Sequence, residues 1–162
     1  MTPTAGNKIV TYNSTFLGVT MFLFGFLKFF NPFRTWFDVQ ITKSGLPRSS
    51  IPMAMAGEMS IGLSLLSASF LGRKRSNLFG PIVSAASVGL IANMGGATYV
   101  HLHPEVPADV LPLKIKPPII PGFVMLLAGV NLFELRRDRQ RKCSPRRPSV
   151  ASTSPTGSPW HR

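Results

Sequence analysis

Four apolar stretches alternate with short polar or proline-rich connections along the chain. The first runs from about Tyr12 to Phe30, the second from about Ile51 to Leu71, the third from about Leu78 to Val100 and the fourth from about Ile119 to Leu135. A helix needs about 20 apolar residues to cross roughly 30 Å of hydrocarbon. All four are therefore read as membrane spans, the fourth at the short limit. None alternates at period two, which argues against barrel strands. A soluble bundle would keep polar outer faces, whereas the first stretch sets Phe16, Phe22, Phe24, Phe26, Phe29 and Phe30 on every side, as expected where lipid is the outer solvent. The predicted fold is all-α: an integral membrane four-helix bundle over residues 1–135, followed by a disordered basic C-terminal tail over 136–162.

Composition supports this division. Of the 162 residues, 15% are charged, against about a quarter in an average soluble domain. Eight of the 18 lysines and arginines fall between Arg136 and Arg162, and Gly80–Val100 holds no charged side chain. The net charge of +12 invites a nucleic-acid reading. No zinc-finger, homeodomain or RNA-recognition pattern accompanies it, and a basic tail beside an apolar span matches anionic lipid headgroups instead. Lys8, the Arg73-Lys74-Arg75 turn and the tail share one side of a four-span topology; Arg34, Lys43, Arg48, Lys114 and Lys116 share the other. This bias predicts that both termini are cytosolic. The first span is too long for a signal-peptide core and is expected to be retained. On this topology the sequon Asn13-Ser14-Thr15 lies at the cytosolic membrane edge, out of reach of glycosylation.

The spans carry few polar groups, and these fall in one layer. Glu58 lies about two turns into the second span, and a central acidic residue costs about 2.5–3.5 kcal/mol on insertion scales. Lys28, at the outer end of the first span, comes to a similar depth because consecutive spans are antiparallel. His101 ends the third span, and Asn93 sits two turns below it. Lys28, Glu58, Asn93 and His101 are thus expected to form an intramembrane polar cluster at the outer side. Each also has a plainer reading: Lys28 snorkelling to headgroups, His101 in the interface beside His103, or Glu58 protonated and bonded to backbone or Ser60.

Small residues mark expected helix contacts. Gly18 and Gly25 are seven apart on the first span, Gly122 and Gly129 repeat that spacing on the fourth, Gly62 follows Glu58 by four, and Gly89, Asn93 and Gly96 share a face of the third. Such stripes allow close backbone approach where lipid offers no hydrophobic drive for association. Pro32–Phe37 has an interfacial composition of aromatics with one arginine. The stretch His101–Pro121 has six prolines in twenty-one residues, which favour a stiff, extended crossing.

Several chemistries are excluded. Cys143 is the sole cysteine, so a CxxC pair, an internal disulfide and an iron–sulfur cluster are out of reach within one chain. His101, His103 and Glu105 form a proline-interrupted HLHPE stretch that is not assigned a metal, and Walker, Rossmann and serine-hydrolase patterns are missing. With no complete catalytic motif, the chain is read as more consistent with a non-enzyme. In the tail, Arg146-Arg147-Pro148-Ser149 resembles a basophilic kinase site, and Ser144, Ser154 and Ser158 each precede proline. These four serines are candidate phosphorylation sites that would weaken attraction to anionic lipid.

The run FLGVTMFLFGFLKFF with Gly18, Gly25 and Lys28, then SGLP, then AGEMSIGLSLL with Glu58 and Gly62, then ATYVHLHPE with His101, resembles the DoxX-like family of small four-span membrane proteins over roughly residues 14–135. The resemblance implies a four-helix bundle whose polar positions gather inside it. Members of that family include a membrane subunit of a thiosulfate:quinone oxidoreductase and eukaryotic assembly chaperones or cargo receptors, so it implies a scaffold more than an activity. Three readings follow. The leading one is a non-catalytic scaffold or assembly factor for other membrane proteins, with membrane lipids and a membrane-protein partner or a second copy as its contacts and no specific nucleic acid. The alternative is the membrane subunit of a quinone-linked oxidoreductase, with quinone as cofactor. The weakest is a small-solute or proton pathway.

Overall fold

The computed structural model describes residues 5–71, 76–111, 114 and 116–143. Five α-helices account for most of them: α1 (Ala5–Leu27), α2 (Phe33–Lys43), α3 (Ser50–Leu71), α4 (Ser76–Leu102) and α5 (Ile119–Cys143), with a short 3-10 turn at Ala108–Val110. Among the described residues there is no strand. Four helices are long and apolar enough to cross a membrane, over Lys8–Leu27, Ser50–Phe70, Leu78–Leu102 and Ile119–Arg141. The protein is a small multi-pass membrane protein.

The spans close into a ring, α1 on α3, α3 on α4, α4 on α5 and α5 back on α1. Its centre is filled by Leu17, Met21, Leu65, Val83, Leu90, Val124 and Ala128, all buried. Phe70 is 72% exposed, and Phe16, Leu63, Val88, Phe123, Leu126 and Phe133 are also exposed. Large apolar side chains on the outside of all four spans match a lipid solvent, in which only the internal hydrogen bonding of the helices satisfies the backbone.

Tight contact between α1 and α3 comes from glycine. A Cβ added at Gly62 would lie 2.7 Å from the Phe22 nitrogen and 2.9 Å from the Gly18 oxygen, and one at Gly18 would lie 3.1 Å from the Gly62 oxygen. Gly25 sits equally close, with a Cβ there 3.2 Å from Glu58 Cβ and from the Met55 oxygen. Gly89 makes only ordinary contact with Ile61, at 3.6 Å. The same role expected of Gly96, Gly122 and Gly129 is not found: a Cβ at any of them would meet nothing within 4 Å. A repeat of small residues marks one face of a helix, but in α5 that face is turned away from the helix's neighbours.

Element boundaries also differ from the sequence reading. The first helix begins at Ala5 and ends at Leu27, short of Phe30, where turn hydrogen bonds from Phe29 and Phe30 to the Phe26 and Leu27 carbonyls lead into a cis Asn31–Pro32 peptide. At the other end, α5 passes Leu135 and continues to Cys143, so residues 136–143 are helical and do not belong to a disordered tail. Their arginines, glutamine and lysine are good helix formers, and the next proline is Pro145. The remaining tail, with Ser144, Ser149, Ser154 and Ser158, lies outside the described residues.

Most of the segment from Pro32 to Phe37 is helical, with Pro32 as the N-cap of α2. Phe33, Phe37 and Ile41 recur at four-residue spacing along α2, which gives it one apolar stripe. It ends in a Schellman motif, with Gly45 at φ 71°, the Leu46 N–H donating to the Ile41 carbonyl at 3.3 Å and the Gly45 N–H to the Thr42 carbonyl at 3.4 Å. Ile41, Val100, Val106 and Leu111 form a second small core with Phe37, Leu46, Ile51 and Val110. Two polar contacts tie it together: Gln40 Nε2 donates to the Val110 carbonyl, and Tyr99 Oη donates to the Ser44 carbonyl at 3.3 Å. Together α2 and the proline-rich connection form a cap over one end of the bundle.

Candidate functional site

Under the cap lies a cavity of about 340 Å3. Its wall is mostly apolar and aromatic, from Phe24, Phe33, Trp36 and Phe37 on the α1 and α2 side to Met94, Ala97 and Val100 on α4 and Ile120 at the start of α5. Lys28, Glu58, Asn93 and His101 all line it. The structure thus brings the four polar positions picked out in the sequence to one cavity, from the end of α1, from α3 and from two turns of α4.

Lys28 Nζ donates to Glu58 Oε1 at 2.5 Å. The geometry follows from the packing described above. Gly25 lets α1 approach the α3 turn that carries Glu58, and Lys28 lies three residues beyond Gly25, just after the helix ends. The ammonium also stands 4.0 Å from the centre of the Phe37 ring, a cation–π contact that ties the cap helix to the pair. Glu58 is 6% exposed. For so buried a carboxylate, desolvation is offset only if partners satisfy it, and here one oxygen is satisfied while Oε2 has no partner.

The other polar groups are similarly incomplete. His101, in the last turn of α4, is 6% exposed and its Nδ1 has no partner. The Asn93 side chain has no hydrogen-bond partner among the described residues, although it lines the cavity. His103, its neighbour in the HLHPE stretch, packs its ring edgewise on Tyr99 with centroids 5.8 Å apart. Its Nδ1 is likewise buried without a partner, but it does not line the cavity.

A second, wider depression of about 910 Å3 lies beside the first, lined by Asn31, Arg34, Asp38, Met55 and Met59 among others. Lys28 and Phe37 line both, so their contact forms the partition between the apolar chamber and the more polar one.

A second polar layer occupies the opposite end of the ring. Asn13 Nδ2 donates to Asn131 Oδ1 at 2.8 Å and to the Leu127 carbonyl at 2.8 Å, and Asn131 Nδ2 donates to Ser14 Oγ at 3.2 Å. Asn131 and Ser14 are fully buried. This network joins α1 to α5, and sequence reasoning missed it because Asn13-Ser14-Thr15 has the form of a surface sequon. The signal was present in the helical register, since Asn13 and Ser14 precede Leu17 and Met21 on a continuous span. Between the two polar layers stand Leu17, Met21, Leu65 and Leu90, all buried.

Comparison with protein-family models, with curated proteins and with solved structures gives no match, so the site is interpreted from its own residues.

Proposed function

We propose that the protein binds a lipid-soluble molecule, polar head first, in the capped cavity. The observation that carries this reading is the pair of buried polar atoms without partners, Glu58 Oε2 and His101 Nδ1, on residues that line a mostly apolar chamber together with Asn93. A buried polar group left unsatisfied costs about 1–3 kcal/mol, and a ligand head would supply the missing bonds. At about 340 Å3 the chamber falls in the usual range of small-molecule pockets, roughly 300–1,000 Å3, which are mostly apolar with a few placed polar groups. A quinone held by the membrane subunit of an oxidoreductase belongs to this ligand class, and the resemblance to DoxX-like proteins agrees with it. With both termini in the cytosol, the cavity opens toward the outer leaflet.

Trp36 lines the chamber and is one of two tryptophans, so the reading has a direct optical test. In nanodiscs, with Trp160→Phe as background, a ring-brominated long-chain alkylphenol should quench Trp36 saturably with its mole fraction in lipid. Filling the chamber by Ala97→Phe should leave only linear, non-saturable quenching. Identical linear curves for both proteins would refute a bound ligand.

A second reading, a scaffold or assembly factor for other membrane proteins, has its own support. Gly122 and Gly129 of α5 have open space where a Cβ would project, which suits close approach by the span of a partner or of a second copy. Gly129→Leu should then abolish co-purification of that partner while leaving Trp36 quenching unchanged; retained co-purification would remove the α5 face from the interface.

A further inference from the structure

The unsatisfied groups also specify what the ligand head must offer. Resting on the cavity reading above, we propose that the site selects lipids whose head carries a hydroxyl donor, an alcohol or a phenol, over the same lipids with an acceptor-only head. Glu58 accepts through Oε1 from the Lys28 ammonium, and the carboxylate of such an ion pair only accepts hydrogen bonds. Its Oε2 is buried and has no partner. Lys28 Nζ bonds Oε1 and faces the Phe37 ring, and it makes no hydrogen bond to Oε2. His101 Nδ1, also buried and without a partner, accepts when the ring proton sits on Nε2. Asn93 both accepts and donates. Two of these three groups thus accept.

A carbonyl or ether head entering this chamber leaves Glu58 Oε2 unpaired and brings its own lone pairs toward a carboxylate. A hydroxyl donates to that oxygen and still accepts from the Asn93 amide. A site built to hydrogen-bond a substrate hydroxyl discriminates against the analogue lacking it because the protein's polar groups are then left unpaired. The rest of the wall is mostly apolar, from Phe24 to Val100. The shared chemistry is the hydroxyl; a sterol, a diacylglycerol and a reduced quinone each present one.

The test uses matched ligands on the full chain in nanodiscs, a ring-brominated 4-dodecylphenol and its methyl ether, read by Trp36 quenching in the Trp160→Phe background. Both saturate, the phenol about tenfold tighter, as expected for a hydrogen bond to a charged acceptor. The Lys28→Met/Glu58→Met double variant, which leaves no unpaired charge and no acceptor at position 58, brings the ratio close to one. Equal affinities, or a tighter ether, in the unsubstituted site overturn the hydroxyl preference while leaving the cavity as a ligand site; failure of both compounds to saturate overturns the cavity reading itself. A tenfold ratio that persists in the folded double variant overturns Glu58 as the acceptor. Should that variant not fold, the phenol–ether comparison in the unsubstituted site decides alone. Sterol, diacylglycerol and hydroquinone competitors against the brominated phenol then separate the natural sources.

Discussion

Replacing Gly62 by alanine adds one methyl group at the tightest point between α1 and α3. That carbon would sit 2.7 Å from the Phe22 nitrogen, 2.9 Å from the Gly18 oxygen and 3.0 Å from Phe22 Cα. All three are backbone atoms, so no side-chain rotation relieves the contact and α1 must move away. Overpacking of this kind costs about 1–3 kcal/mol, set against the gain of about 1 kcal/mol that alanine brings to a helix interior over glycine. Gly129→Ala is the matched control: a Cβ there meets nothing within 4 Å, so only the helix-forming gain remains. The expected ordering in reversible unfolding in mixed micelles is Gly129→Ala at or above the unsubstituted protein and Gly62→Ala below it. The effect should also reach the ion pair, since the same helix contact brings Lys28 to Glu58. Gly62→Ala at least as stable as Gly129→Ala would refute the assignment of close backbone packing to the α1–α3 interface.

Three shorter predictions follow from other parts of the bundle. Glu58→Gln should destabilise by about 3–5 kcal/mol by leaving Lys28 unpaired, with most of the loss recovered in Lys28→Met/Glu58→Gln; additive losses in a double-mutant cycle would deny the coupling. Asn131→Ala should cost about 1 kcal/mol, the scale of interhelical hydrogen bonds in membranes, and adding Asn13→Ala should cost less than it does alone; full additivity would dissolve the α1–α5 network. For orientation, native Cys143 should react with impermeant maleimide from the cytosolic side, and a cysteine at Arg34 in a Cys143→Ser background from the opposite side; labelling from the same side would break the four-span topology.

Much of this architecture can be read from residue order. Length and apolarity locate four spans, and antiparallel threading alone sets Lys28 and Glu58 at one depth. The facing of helices is less legible. Gly18 and Gly25 meet a neighbouring helix while Gly122 and Gly129, with the identical seven-residue spacing, do not, because spacing identifies a stripe and not what lies opposite it. The cap helix had a readable four-residue recurrence in Phe33, Phe37 and Ile41, but its aromatic and charged mixture also suits an irregular interfacial segment. Its contribution to the site, Phe37 over the Lys28 ammonium, depends on a tertiary contact. Asn13 shows the opposite limit: its sequon marks only a place at the membrane edge, and the helix around it sets the amide against α5. The extension of α5 to Cys143 follows from local helix propensity winning over net charge in a segment whose composition resembles a tail.

The account turns on whether the capped chamber holds a molecule in the native membrane. Native mass spectrometry of the protein released from its own membranes in a mild detergent addresses this, with the ejected species fragmented for its head chemistry. The expected result is a one-to-one adduct with a hydroxyl-bearing, lipid-soluble compound that is lost in Ala97→Phe. Bare protein at every activation energy, or an adduct retained unchanged when the chamber is filled, would contradict it.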